Sequence, residues 1–151
     1  MNINNLSAMA KILIRRSPVE VFTAFAEARM MSKFWFTRRD NGLKENEYST
    51  WYLGPGEDAP SFDVLVKEIE SPHKIVIEWE NGGEYSQVTW SIDETEEGHS
   101  LLAIEETGFT GDSEAILERV IDSTGGFNQV VVAAKAVIEN GAELNVVNDH
   151  A

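Results

Sequence analysis

The sequence predicts an α+β fold: a curved antiparallel sheet closed by one long helix at its C-terminal end. Two observations predict it. Five strand-like runs follow one another between residues 45 and 107, separated by turns rich in Gly, Pro and Asn. Beyond Gly125-Gly126-Phe127 the pattern changes to an aliphatic, Ala-rich helix that stops at Gly141. The apolar face of such a sheet needs a cover, and the last helix is the main cover the chain offers.

Residues 8–15 read as the first strand, with Ile12, Leu13 and Ile14 at its apolar centre. Ser17-Pro18-Val19-Glu20 then starts a helix: Ser at the N-cap, Pro at the first helical position and Glu at the third. Val21, Phe22 and Phe25 are spaced to form its buried stripe. A second short helix is expected over 28–34, followed directly by Trp35 and Phe36. The meander is read as strands at 45–53, 61–70, 74–80, 84–93 and 100–107. Gly54-Pro55-Gly56, Ser71-Pro72, Asn81-Gly82-Gly83 and Glu94-Thr95-Glu96-Glu97-Gly98 punctuate it. Ile75, Ile77 and Trp79 alternate on one face, as do Val88, Trp90 and Ile92, and the short connections make neighbouring strands antiparallel.

Asp112 or Ser113 can cap a short helix carrying Ile116, Leu117, Val120 and Ile121. Gly125-Gly126 is expected to interrupt or kink it ahead of the long helix over 128–140. On that helix Phe127, Val130, Val131, Ala134, Val137 and Ile138 form a broad apolar stripe, and Gly141 supplies the stop. The polar tail, 145–151, is expected to fray. No repeat or linker divides the chain, so a single domain over 1–151, with its core at about 8–141, is expected.

At 151 residues, 42% hydrophobic and 25% charged, the chain has the composition of a folded domain. The net charge of −14 opposes nucleic acid and anionic membranes as partners, because Arg15-Arg16 and Arg38-Arg39 are the only adjacent basic pairs. No apolar run reaches the roughly 18–20 residues of a membrane span, so no membrane insertion is expected. The start Met1-Asn2-Ile3-Asn4-Asn5 lacks the pattern of a signal peptide, so a cytoplasmic location is expected. With no cysteine, disulfides, thiolate metal sites and cysteine nucleophiles are excluded. His73, His99 and His150 have no metal-ligand spacing, and Gly-x-Ser-x-Gly and phosphate-binding Gly-rich motifs are absent. No metal and no cofactor are expected.

Several stretches together resemble the activator-of-Hsp90-ATPase-like branch of the START/Bet v 1 superfamily. They are Arg16-Ser17-Pro18-Val19-Glu20-Val21-Phe22, Lys33-Phe34-Trp35-Phe36-Thr37, the pair of strands running from Val66-Lys67-Glu68-Ile69 through Ser71-Pro72-His73-Lys74-Ile75-Val76 to Glu78-Trp79, and Gly126-Phe127-Asn128-Gln129-Val130 through Glu139-Asn140-Gly141. Each motif alone is weak; their order and spacing over about residues 10–141 are specific. Phe127 stands where Trp is usual in the family and Glu47 where Gly is common, both changes of packing. The resemblance implies the helix-grip fold: a seven-strand antiparallel sheet around the C-terminal helix, with a hydrophobic cavity between them. It leaves function open, since the superfamily includes lipid carriers, hormone binders, cyclases and co-chaperone domains. The eukaryotic activators carry a separate N-terminal Hsp90-binding domain, for which these 151 residues leave no expected room.

Taken alone the aromatic residues read as a plain core packed against a helix; with the cavity that the resemblance implies, they would line a pocket. On the sheet side its walls are expected from Phe62, Val64, Val66, Ile77, Trp79 and Val88, continued by Trp90, Leu102 and Ile104. Phe127, Val131 and Ala134 would form the lid, and Trp35 and Trp51 would lie near the mouth. Tyr85 or Tyr52 would orient the polar end of a ligand. Glu106 is the one weak catalytic candidate: if Leu102 and Ile104 face the cavity, pleat alternation turns Glu106 the same way. Desolvated there it would serve as acid, base or ligand anchor; at the mouth it would simply be solvated. The leading expectation is binding of a small hydrophobic molecule, a lipid, sterol-like compound or polycyclic aromatic, by a monomer or weak dimer that is not an enzyme. The alternative is a stress-response interaction module whose partner is a chaperone, steered by the acidic surface. A third reading is a cyclase or dehydratase.

Overall fold

The computed structural model describes residues 5–36, 38–39, 42–54, 56–81 and 83–149, leaving aside the side chains of Arg38 and Asn81. The expectations that involved Met1-Asn2-Ile3-Asn4, Thr37, Pro55, Gly82, His150 and Ala151 lie outside the described residues. The chain runs β1 (Ala8–Ile14), α1 (Pro18–Ala26), α2 (Ala28–Met31), β2 (Arg38–Arg39), β3 (Tyr48–Tyr52), β4 (Ser61–Glu70), β5 (Lys74–Asn81), β6 (Glu84–Glu94), β7 (Ser100–Thr107) and α3 (Ser113–Asn140). The strands form one antiparallel sheet in the order β1-β7-β6-β5-β4-β3-β2.

The helix starts and stops follow from local chemistry. Ser17 Oγ accepts the Glu20 N–H at 3.3 Å and Pro18 opens α1. Asp112 Oδ1 accepts the Ala115 N–H at 2.8 Å and opens α3. Gly141, at φ 66°, closes α3 in the left-handed conformation, its N–H reaching the Val137 carbonyl at 2.8 Å.

Inward residues alternate along β6 and β7. On β7, Ser100, Leu102, Ile104 and Glu106 are buried; on β6, Ser86, Val88, Trp90 and Ile92 are. The β4–β5 register shifts between Val66 and Glu68, the signature of a bulge. Helix α3 packs chiefly along β1, where the small inward residues Ala8 and Ala10 allow close approach. The centre of the grip is filled from the other side by α1 and the segment after α2. Phe25 meets Phe34 edge-on at 5.1 Å and Trp90 at 6.1 Å, and Trp35 lies 5.8 Å from Trp90.

Four expectations need correction. Gly125-Gly126 does not break the helix: α3 is continuous for 28 residues, because neither glycine takes a positive φ and burial of Ile116, Phe127, Val130 and Val131 holds both sides of the pair against the core. The Arg38-Arg39 pair is a two-residue strand on β3. The strand expected over 45–53 is confined to Tyr48–Tyr52, with Asn46 in the left-handed region at φ 65°. The second helix ends at Met31; a tight turn, with the Phe34 N–H on the Met31 carbonyl at 3.1 Å, carries the chain on to Trp35.

Candidate functional site

A cavity of about 300 Å³ lies between the β3–β5 side of the sheet, the middle of α3 and the segment beyond α3. Trp35, Phe36, Phe62, Trp79 and Phe127 are its aromatic walls. Leu53, Val130, Val146 and Val147 add aliphatic surface, and Glu80, Asp122, Ser123, Gly126 and Gln129 border it. Trp79 and Phe127 stack nearly parallel, with rings 6.4 Å apart and 8° between planes. Trp35 is the hub, within 6.2 Å of Phe36, Trp51, Trp79, Trp90 and Phe127.

Helix spacing builds the mouth. Asp122, Gly126 and Gln129 fall on one helical face at i, i+4 and i+7. A Cβ at Gly126 would meet nothing within 4 Å, so the glycine leaves open space between two polar side chains. Across from it lie Val146 and Val147, which pack against the core. They are the apolar pair of an otherwise polar tail and are half-buried there.

The site residues expected from sequence divide into two groups. Trp35, Phe62, Trp79 and Phe127 line the cavity. Trp51, Val64, Val66, Ile77, Val88, Trp90, Leu102, Ile104, Val131 and Ala134 are buried in the continuous core and do not border it. Their inward direction follows from alternation, but Phe25, Phe34 and Trp35 occupy the space in front of the central strands. Sequence reasoning missed Phe36, Leu53, Asp122, Gly126 and Gln129, and the tail pair Val146 and Val147. The signal for three of them was the i, i+4, i+7 spacing of Asp122, Gly126 and Gln129 at the edge of an apolar stripe.

Tyr85 is 59% exposed, pairs with Glu80 across the β5–β6 hairpin, and has its pKa raised mainly by that neighbouring carboxylate. It points to solvent and so cannot orient a ligand inside. The same pairing puts the Glu80 side chain on the outer face. Tyr52 is half-buried on β3 and does not border the cavity.

Glu106 is 3% exposed, so the solvated reading is excluded. Its Oε2 accepts the Trp79 indole N–H at 3.0 Å and the Ser86 hydroxyl. Trp79 Nε1 also reaches Ser86 Oγ at 3.0 Å. Glu106 Oε1 is buried and has no hydrogen-bond partner among the described residues. The carboxylate thus sits directly behind a wall of the cavity, holding Trp79 in place, but does not itself line it.

Arg39 was legible only as half of a basic pair. Its guanidinium is buried, donating to the Phe25 carbonyl at 3.0 Å and the Ala26 carbonyl at 2.7 Å, and lies 5.5 Å from the Trp51 ring centre. Burial lowers its pKa from the ordinary arginine range to about 10. It closes the C-terminal end of α1, which has no basic residue in its last turn.

Among the described residues no group of three or more His, Asp or Glu side chains is placed to hold a metal ion. The His73 ring Nδ1 lies 2.9 Å from the Ile92 carbonyl, and His99 lies 3.7 Å from Glu97. No helix among the described residues is long and apolar enough to cross a membrane.

Comparison with solved structures gives the same architecture at low identity. The Staphylococcus saprophyticus protein SSP2350 is 18% identical, with TM-score 0.75, 93% of this chain and 96% of that one covered. The Aha1 dimer from Colwellia psychrerythraea, a solution structure, is 11% identical, with TM-score 0.70 and 90% and 98% covered. CalU16 from Micromonospora echinospora is 14% identical, with TM-score 0.69 and 95% and 80% covered. At these identities the likeness carries the fold alone. No curated protein matches the chain. Residues 15–134, from the end of β1 to the middle of α3, match the family described as Activator of Hsp90 ATPase homolog 1-like protein, and the chain belongs to that family.

Proposed function

We propose that this protein binds a small, apolar, ring-containing molecule in the cavity between the sheet and α3. The observation that carries the reading is the cavity itself: five aromatic side chains around about 300 Å³, with a mouth at Gly126. Pockets of this size and lining are the usual form of small-molecule sites. At roughly 30 Å³ per water-sized volume the space supports a ligand of about ten to a dozen heavy atoms. That size favours a one- or two-ring compound over a sterol. Each buried methylene contributes about 0.8 kcal/mol before association costs.

The test is a thermal-shift screen of small aromatic compounds, run in parallel on Gly126→Leu, whose side chain would occupy the open mouth. Ligand at about 100 Kd adds roughly 2.7 kcal/mol, worth about 8 °C for a domain of 151 residues. A saturable shift that Gly126→Leu abolishes supports the reading. A shift of equal size in the variant refutes the location.

A second reading, interaction with a chaperone, is favoured by Ile121, 71% exposed, and Leu117 beside it on the outer face of α3. Exposed aliphatic residues one turn apart are suited to a protein contact. Charge substitution at Ile121 would weaken that contact and leave the thermal shift with small ligands unchanged. The enzyme reading is the least supported, because Glu106 is separated from the cavity by the Trp79 indole.

A further inference from the structure

Among the described residues, the charged side chains that border the cavity are all acidic. We infer that the ligand carries a cationic amine or ammonium group, an inference that rests on the cavity-binding reading above and names its chemical class. No Lys, Arg or His is among the described residues that line the cavity. Asp122 borders the mouth beside Gly126 and is exposed, with no hydrogen bond or ion pair to the other described residues. Behind the inner wall, the Glu106 carboxyl is 3% exposed, has one oxygen without a partner among the described residues, and holds the indole N–H of Trp79, whose ring is part of the wall.

Two described cations on neighbouring elements have partners of their own. Arg119, one turn before Asp122 and Ser123 on α3, pairs with Glu84 and lies over the Phe109 ring. Arg39 is held by the Phe25 and Ala26 carbonyls on the far side of Trp51. Among the described residues, a carboxylate ligand would therefore meet no counter-charge in the cavity lining and a like charge at its mouth, in a chain of net charge −14. A fatty acid is the wrong class. An ammonium group gains twice: from Asp122 at the mouth, and from the faces of Trp35, Phe36, Phe62, Trp79 and Phe127, since aromatic faces attract cations within about 6 Å.

The test uses three probes that differ in one group: 4-phenylbutylamine, 4-phenylbutanol and 4-phenylbutanoate. Calorimetry gives their affinities for the intact protein, for Asp122→Asn and for Gly126→Leu, at low and at high salt. The expected order is amine, then alcohol, then carboxylate, with the amine about threefold to tenfold tighter than the alcohol. Asp122→Asn narrows that gap by weakening the amine more than the alcohol, and high salt narrows it too. Equal binding of amine and alcohol, or tighter binding of the carboxylate, overturns the charge inference while the cavity reading stands. Amine binding that survives in Gly126→Leu places it on the acidic surface and also overturns the inference. If none of the three binds, the cavity reading falls and the inference falls with it.

Discussion

The uninterrupted course of α3 through Gly125-Gly126 makes a quantitative prediction. Both residues are helical, neither has a positive φ, and a Cβ at either would meet nothing within 4 Å. The glycines therefore cost helix stability with no packing return at their own positions. Glycine in a helix interior is worse than alanine by about 0.5–1 kcal/mol, mostly through the entropy of the unfolded chain. Gly125→Ala and Gly126→Ala should each stabilise the protein by that amount, and the double variant by about 1–2 kcal/mol. For 151 residues the unfolding entropy near Tm is about 320 cal/mol/K, so each kcal/mol is worth about 3 °C. Thermal unfolding followed by circular dichroism should show Tm rising by about 3–6 °C in the double variant. The two positions then separate in binding. Gly126 borders the cavity and Gly125 does not, so only Gly126→Ala should lower affinity for a ligand that fills the mouth. A fall in Tm for either variant would refute the continuous helix. Equal effects on binding would refute the mouth.

Three further predictions concern the supports of the site. Arg39→Met leaves the Phe25 and Ala26 carbonyls without their guanidinium donor and should cost about 2–4 kcal/mol by denaturant unfolding; Arg39→Lys should recover less than half, since an ammonium cannot reproduce the planar fork. Ser86→Ala removes one of the two donors to Glu106 Oε2 and an acceptor for Trp79, and should cost about 1.5–3 kcal/mol with a change in Trp emission; an unchanged spectrum would show that Ser86 does not position the indole. Glu139 accepts Lys135 Nζ at 2.5 Å and the Arg15 N–H at 2.8 Å, and these bonds, Lys135 first, hold its pKa below the ordinary 4.5. A depressed carboxylate stabilises the fold above pH about 4.5, and that contribution is lost as pH falls through its folded value. Glu139→Gln should therefore lower stability at pH 7 and flatten the acid limb of the pH–stability curve.

What the sequence made legible was what local chemistry decides. Strands β4 and β7 have the predicted bounds, because Pro, Gly and charged turns flank each of them. Ser17-Pro18 and Asp112 open helices as capping rules require. The misses depend on tertiary contacts. Two charged residues, Arg38-Arg39, carry no strand signal; pairing with Trp51 and Tyr52 makes them one. Gly-Gly is a breaker by propensity, yet apolar packing on both sides of the pair carries the helix through it. Val146 and Val147 are two apolar residues in a polar tail, too few to form a periodic pattern, and their burial depends on a surface built by Leu53, Phe62 and Phe127.

The location of the cavity shows where alternation stops being informative. Period-two patterning states which face of the sheet a residue occupies, and on that it succeeded for Val88, Trp90, Leu102, Ile104 and Glu106. It says nothing about how far the facing layer stands from the sheet at each point. That distance is set by what is inserted between them. Near the centre the insertion is Phe25, Phe34 and Trp35, three large rings from α1 and the turn after α2. They fill the grip down to Trp90 and Trp51. Toward Gly126 the helix loses its side chain at the position facing the gap, and nothing from α1 or α2 replaces it. A residue-poor turn of α3 above a residue-rich patch of sheet is what leaves the space open. Glu106 lies just beyond that boundary, held behind Trp79, which makes the Trp79 indole the element separating an apolar pocket from a buried carboxylate.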